Sequence, residues 1–308
     1  NFIVTLNATH NKGIDMPSGK FDPQGLQRAM DASRNRGRDP MSWPLYDSYD
    51  VTDEVLIPLG EPNRYYIPTA YPRLPYEFAK LEYGNKDSAI QFVEEWGLLG
   101  YSKLAGRGAA RNGDSLEFIW GHASMVAQIL RLSKALSNFK KGDENPLLQE
   151  LDRLNDLVGA EGYQYYQSKE WWRGAEKYNS FFDTFREKDE IANSFICEVI
   201  SANIEGLRPT LQRTYDDDST IGRLKWLYRW DVLLEVVYLH LGDAVTGDKP
   251  LVECQYCHNL FQQTDKRQKY CPPSKEVIGE YQSGTRERAQ SNCSLSHRQE
   301  KFRVNHPR

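Results

Sequence analysis

No stretch of this chain is apolar for the ~20 residues that a bilayer-spanning helix requires, so the sequence predicts no membrane helix. Charge of neither sign dominates: 39 Lys and Arg against 43 Asp and Glu leave a net −4, which excludes a uniformly polybasic or polyacidic chain. Internal repeats and low-complexity tracts are missing. So are the patterns of common catalytic sites. His122 and His240 lie in apolar, helix-like stretches with no His-Glu-x-x-His or Ser-His-Asp companion, and they read as satisfied core or groove residues. Gly106, Gly108 and Gly113 punctuate GRGAARNG, but the Lys-Ser/Thr ending of a phosphate-binding loop is lacking and no convincing strand precedes it. A connecting loop is expected there, with Arg107 and Arg111 as secondary candidates for touching a polyanion. Asp216, Asp217 and Asp218 read as a solvated loop before a helix N-terminus, not as a metal cluster. No small-molecule substrate site is evident, and the chain reads as non-enzymatic.

Cysteine is scarce, five in 308 residues, and four of the five are crowded into the last fifth. A secreted protein of this length would more often scatter paired cysteines, so a reducing, cytoplasmic setting is expected. Cys197 is the outlier; beside Ile196 and Val199 it reads as a small buried hydrophobe. The chain opens on Asn1, which is compatible with a trimmed N-terminus.

What is present is the composition of a globular protein, 39% hydrophobic and 27% charged. Residues 1–75 are rich in Pro, Gly, Asn and Asp. Within them VLIPLGEPNRYYIPTAY (55–71) predicts two short strands about the turn Gly60–Asn63, which Pro58 and Pro68 demote to edge strands or extended arms. From residue 76 to 248 the period becomes helical. SAIQFVEEW is capped by Asp87 or Ser88 and stopped by Gly97. In DSLEFIWGHASMVAQILRLSKALSNF, Asp114 and Glu117 suggest a capping pair, and Leu116, Ile119, Ala123, Val126 and Leu130 share one face. NPLLQELDRLNDLV places Leu147, Leu151, Leu154 and Val158 in a stripe, and EKDEIANSFICEVISANIEGL places Ile191, Phe195, Val199 and Ile200 together. Thr220 to His240 reads as one central helix, apolar on several faces. The aromatic run 163–182, with Trp171 and Trp172, reads as core and boundary packing. Gly247, Asp248 and Pro250 then break the last helix. The expected fold is mainly α: a helical bundle over 76–248, an irregular or short-strand region over 1–75, and a small zinc finger over 249–308.

The finger rests on LVECQYCHNLFQQTDKRQKYCPP and SNCSLSHRQEKFR. Cys254 and Cys257 form a Cys-x2-Cys turn, and Cys271 and Cys293 can close a tetrahedron of thiolates about Zn²⁺. The 13 residues between Cys257 and Cys271 allow a hairpin with Phe261 inward and Lys266, Arg267 and Lys269 at its tip. The fourth ligand is expected to be Cys293, with His297 and His258 as the other possibilities. Four protein ligands leave no open position, so the metal is expected to be structural. Residues 251–308 hold ten basic and six acidic residues, a net +4 on a body of net −8. If the tail of this segment is helical, Arg298, Lys301 and Arg303 add to a phosphate-binding surface.

On these residues the chain resembles bacterial proteins that join a helical ABATE region to a C-terminal zinc finger of the CGNR type. The likeness is carried by EFAKLEYGNKDSAIQFVEEWGLLG (77–100), by LLEVVYLHLGDAVTGDKPLVECQYCHNLF (233–261), by KYC (269–271) and by CSLSHRQEKFR (293–303). It departs from that family in three places. Cys293-Ser294-Leu295-Ser296 stands where Cys-Gly-Asn-Arg names the family, residues 273–291 read as an insertion, and His258 follows the second cysteine where glycine is common. The resemblance implies a nucleic-acid-binding or transcription-regulating protein. The competing expectation is an interaction protein, a homodimer or a subunit of a nucleoprotein complex, whose finger stabilises an interface.

Overall fold

Prolines at 44, 58, 62 and 68 deny the first ordered stretch any long element, and it breaks into short strands. The computed structural model describes residues 42–100, 113–158, 178–214, 223–272 and 292–305. Strand β1 (Trp43–Leu45) pairs antiparallel with β4 (Arg64–Tyr66), and β2 (Ser48–Thr52) pairs with β3 (Val55–Leu59). The β2–β3 hairpin turns on Asp53 and Glu54, both at positive φ (51° and 61°), the geometry whose twist matches paired strands. The two strands expected about Gly60–Asn63 therefore exist but do not pair with each other. Nor is β3 an edge, because β5 (Asp114–Ser115) adds to its other side at Val55 and Leu56. Pro58 is tolerated because β5 ends before reaching it.

Helix α1 (Leu74–Phe78) leads to α2 (Lys86–Trp96), which is capped by Asn85, whose side-chain oxygen accepts the Ser88 N–H at 3.1 Å. Gly97 stops α2 at φ 85°; a Cβ there would lie 2.8 Å from the Pro44 carbonyl and the Trp43 ring. Helix α3 (Leu116–Phe139) is capped by Ser115, which accepts the Phe118 N–H at 3.1 Å, and its expected apolar face is buried. Asp114 is not the cap. Its carboxylate is buried and accepts the backbone N–H groups of Leu99 and Gly100, which ties the α2 exit to the start of α3.

Helices α4 (Asn145–Val158), α5 (Tyr178–Thr184) and α6 (Lys188–Asn203) follow, with Leu147, Leu151, Leu154, Phe195 and Val199 in the core. Next comes a feature the pattern did not predict. Strands β6 (Arg208–Thr214) and β7 (Arg223–Arg229) form a seven-pair antiparallel hairpin, so the helix expected from Thr220 begins only with α7 (Leu233–Thr246). RLKWLYR alternates polar and apolar residues only as far as Trp226, and its apolar content suggests helix when no partner strand is considered. The helix start is fixed at 233 by the buried Glu235 carboxylate, which accepts the N–H groups of Asp231 (2.9 Å) and Val232 (3.5 Å).

Helix α7 packs on α1, α3 and α6, and α3 also meets α2 and α4, so α3 is the spine of the main apolar core among the described residues. His122 and His240 are both buried there. His122 Nδ1 lies 2.9 Å from the Tyr238 hydroxyl and His240 Nε2 lies 3.4 Å from the Pro68 carbonyl. A short antiparallel pair, β8 (Leu251–Glu253) and β9 (Leu260–Gln262), and helix α8 (Asn292–Asn305) complete the described structure. The expected helical bundle is thus corrected: helices are interleaved with four small sheets among the described residues, an α and β mixture. The sheets arise where proline and glycine cut the helical period. No helix among the described residues is long and apolar enough to cross a membrane.

Asp114→Ala would strand two buried N–H groups, and the expected loss is about 2–3 kcal/mol of unfolding free energy. Urea titration of the variant against wild type measures it; a change within error would show that the carboxylate is not holding the α2–α3 connection.

Candidate metal centre

Strand β8 runs directly into Cys254, and a tight turn follows. The Cys254 N–H donates to the Asn259 carbonyl at 2.9 Å, and the His258 N–H donates to the Cys254 carbonyl at 3.0 Å. Closing this turn places His258 at φ 59°, the left-handed region where glycine is favoured. A third backbone bond, Gln255 N–H to the Lys269 carbonyl at 3.0 Å, brings the chain before Cys271 alongside the turn. Helix α8 presents Cys293 from its first turn. Below these residues Phe261 is buried, as expected, with Cys254 and Cys271; Val252, Tyr270, Cys257 and Cys293 pack around them.

The four sulfurs of Cys254, Cys257, Cys271 and Cys293 all lie within 4.8 Å of one another, and those of Cys257 and Cys271 are 3.5 Å apart. All four are free thiols. A tetrahedral ion with bonds of ~2.3 Å needs sulfur–sulfur edges of about 3.8 Å, so the cluster fits a metal and not a pair of disulfides. Asn259 Nδ2 adds a donor to the Cys257 sulfur at 3.5 Å. Neither histidine alternative joins the group. His297 packs its ring on Tyr270 (5.4 Å) and Tyr256 (6.5 Å), and His258 turns outward so that Nδ1 lies 2.9 Å from a Glu253 oxygen. Four cysteines here could hold a metal ion.

Electrostatics at the clustered thiols are uneven. Burial raises the Cys293 thiol to about 12, and the neighbouring Cys257 and Cys254 add to the effect. Cys271 is raised further still, by burial first, although the Lys80 ammonium opposes the shift. Burial also opposes ionisation of Cys254, yet backbone N–H groups of Cys257, Tyr256 and Cys271 hold it at about 7. Thiolates this close ionise together only around a positive charge.

The basic residues are placed unevenly. Lys266, Arg267 and Lys269 are exposed, but they lie after β9 on 263–269 and not at the β8–β9 hairpin tip, which the cysteine turn occupies. That segment is shaped by Gln263 Nε2 donating to the Gln268 carbonyl (3.0 Å) and by Arg267 N–H donating to Asp265 (2.8 Å). Arg298 is exposed on α8, and Lys301 and Arg303 continue the same helix with side chains outside the described set. Arg107, Arg111, Asp216–Asp218, Trp171, Trp172 and the insertion 273–291 also lie outside the described residues. Cys197 is not buried: it faces away from the Phe195–Val199 stripe of α6 and is exposed.

Pattern reading missed the seam between this segment and the helices. Leu251 and Leu260 pack against the main core, and Lys134 on α3 meets Glu253 at 3.1 Å. Beside them Glu150 binds Arg153 at 2.5 Å and Arg131 at 3.4 Å. A lone lysine on a helix carries no sequence signal for such a contact. No family model matches this chain, and neither a curated protein nor a solved structure matches it.

Cys257→Ser is expected to abolish binding of one divalent ion per chain and to open 249–305 to protease, while the helical circular dichroism of the body persists. Equal metal content in variant and wild type would remove Cys257 from the ligand set. Because Cys271 and Cys293 are held protonated near neutrality, uptake of the ion displaces at least their two protons. Apparent affinity should therefore fall by at least about 100-fold for each pH unit lowered near pH 7. Competition with a chromophoric chelator across pH measures the slope.

Proposed function

We propose that the ion is structural Zn²⁺ and that the metal-organised tail is a nucleic-acid-binding element of a non-enzymatic, cytoplasmic regulator. Zn²⁺ has no geometric preference of its own and takes four thiolates readily, and a closed ligand set leaves no position for a substrate. One observation carries the reading. The sulfurs of Cys271 and Cys293 lie in the same cluster, so the exposed Lys266, Arg267 and Lys269 sit on the chain leading into it and Arg298 on the helix leaving it. Fixed cations at this density suit phosphate oxygens, and the remainder of the chain, at net −8, does not. The likeness to the ABATE and CGNR-type proteins points the same way, and their bacterial setting is part of the proposal.

A second reading is favoured by Tyr256 and Leu295, exposed at 38% and 41% close to the sulfur cluster. Apolar side chains there suit a protein partner or a second copy of the chain, with the zinc stabilising that interface.

Fluorescence anisotropy with labelled duplex and single-stranded oligonucleotides at two salt concentrations tests the choice. Affinity should drop steeply with salt, and the Lys266→Ala/Arg267→Ala/Lys269→Ala variant should lower the logarithmic salt slope by about 2–3, at ~0.9 per phosphate contact. Absence of binding at low salt would sink the nucleic-acid reading and leave the interface.

A further inference from the structure

A cleft of about 400 Å³ opens where α3 and α7 end against the middle of α6, and the connector 247–251 forms its remaining wall. None of the four clustered cysteines lines it. Its volume falls in the range of small-molecule sites. Leu136, Ile196 and Val245 give it an apolar wall. Three lysines give it charge. Lys134 is committed to Glu253, but Lys140 and Lys249 have no ion-pair partner among the described residues. They face a single lining carboxylate, Asp248. The C-terminal ends of α3 and α7 favour lysines at this place, yet backbone carbonyls do not neutralise a full charge. Net positive charge beside an apolar wall, in a partly enclosed space, is the environment that recognises an amphipathic anion.

From this we propose that the cleft binds a small organic anion, a carboxylate or phosphate monoester whose apolar part lies on Ile196 and Val245 and whose charge is taken by Lys140 and Lys249. The site does not depend on the tail's binding nucleic acid. Its occupant would touch the connector that leads into β8, so the cleft is placed to sense a metabolite-like ligand next to the metal segment.

Cys197 supplies the measurement, since its exposed free thiol lies on the cleft wall. In full-length, metal-loaded protein, alkylation of Cys197 by N-ethylmaleimide is followed by peptide mass spectrometry with octanoate, with hexyl phosphate, or with chloride at equal ionic strength. An occupied cleft slows the reaction by about 1 + [L]/Kd, roughly tenfold when the probe is at ten times its Kd. Lys140→Gln and Lys249→Gln should each weaken that protection, and the double variant should abolish it with an unchanged thermal midpoint. Whichever probe protects identifies carboxylate or phosphate as the head group. The proposal is overturned if neither probe protects at millimolar concentration, or if the double lysine variant protects as well as wild type. It is also overturned if an oligonucleotide protects where both small anions fail, because the lysines would then belong to a polyanion surface.

Discussion

Among the described residues Phe261 is the one large side chain fully buried beneath the sulfur cluster, and so small a core does little by itself to hold a chain segment in place. Ordering even ten residues costs on the order of 10–20 kcal/mol of backbone entropy. Burying a phenylalanine contributes about 1.5–3 kcal/mol. A structural ion contributes about 10–16 kcal/mol in small fingers, and an ion held by the four cysteines would supply a contribution of that size in addition to the packing of Leu251 and Leu260 on the main core. The convergence of four sulfurs is therefore the constraint from which the rest follows. It sets the β8–β9 pairing, the position of α8 and the display of the exposed cations.

Local rules fail and succeed here for identifiable reasons. The helix Lys86–Trp96 was legible in its apolar residues and its Gly97 stop, although Asn85 and not Asp87 or Ser88 caps it, and the stripe of Lys188–Asn203 was legible although its end was not. The cysteine set was legible as a group because a Cys-x2-Cys turn brings two thiols together whatever fold surrounds it. What was hidden depended on partners distant in sequence. Asp114 resembles an N-cap until Leu99 and Gly100 are seen to donate to it. RLKWLYR is helical or extended according to whether a second strand lies beside it, and 208–214 supplies that strand. Cys197 has apolar neighbours in sequence, but the face it occupies on α6 is set by the phase of the whole helix.

Position 258 joins several of these themes. The cysteine turn requires a left-handed residue, and this chain uses a histidine where glycine would fit with least strain. The imidazole then contacts Glu253, which also holds Lys134. The exposed parts of this network are worth little individually, since water screens them. Their value lies in register: they fix which side of the metal segment faces α3.

That docking has a mechanical consequence. Leu251 and Leu260 lie against the main core and Lys134 grips Glu253, so the thiol-bearing segment is mortised to the spine helix and does not hang from a tether. A spectroscopic label attached at the cysteine turn should reorient with the helices that α3 packs against. A twist applied to the tail would then be delivered to α3.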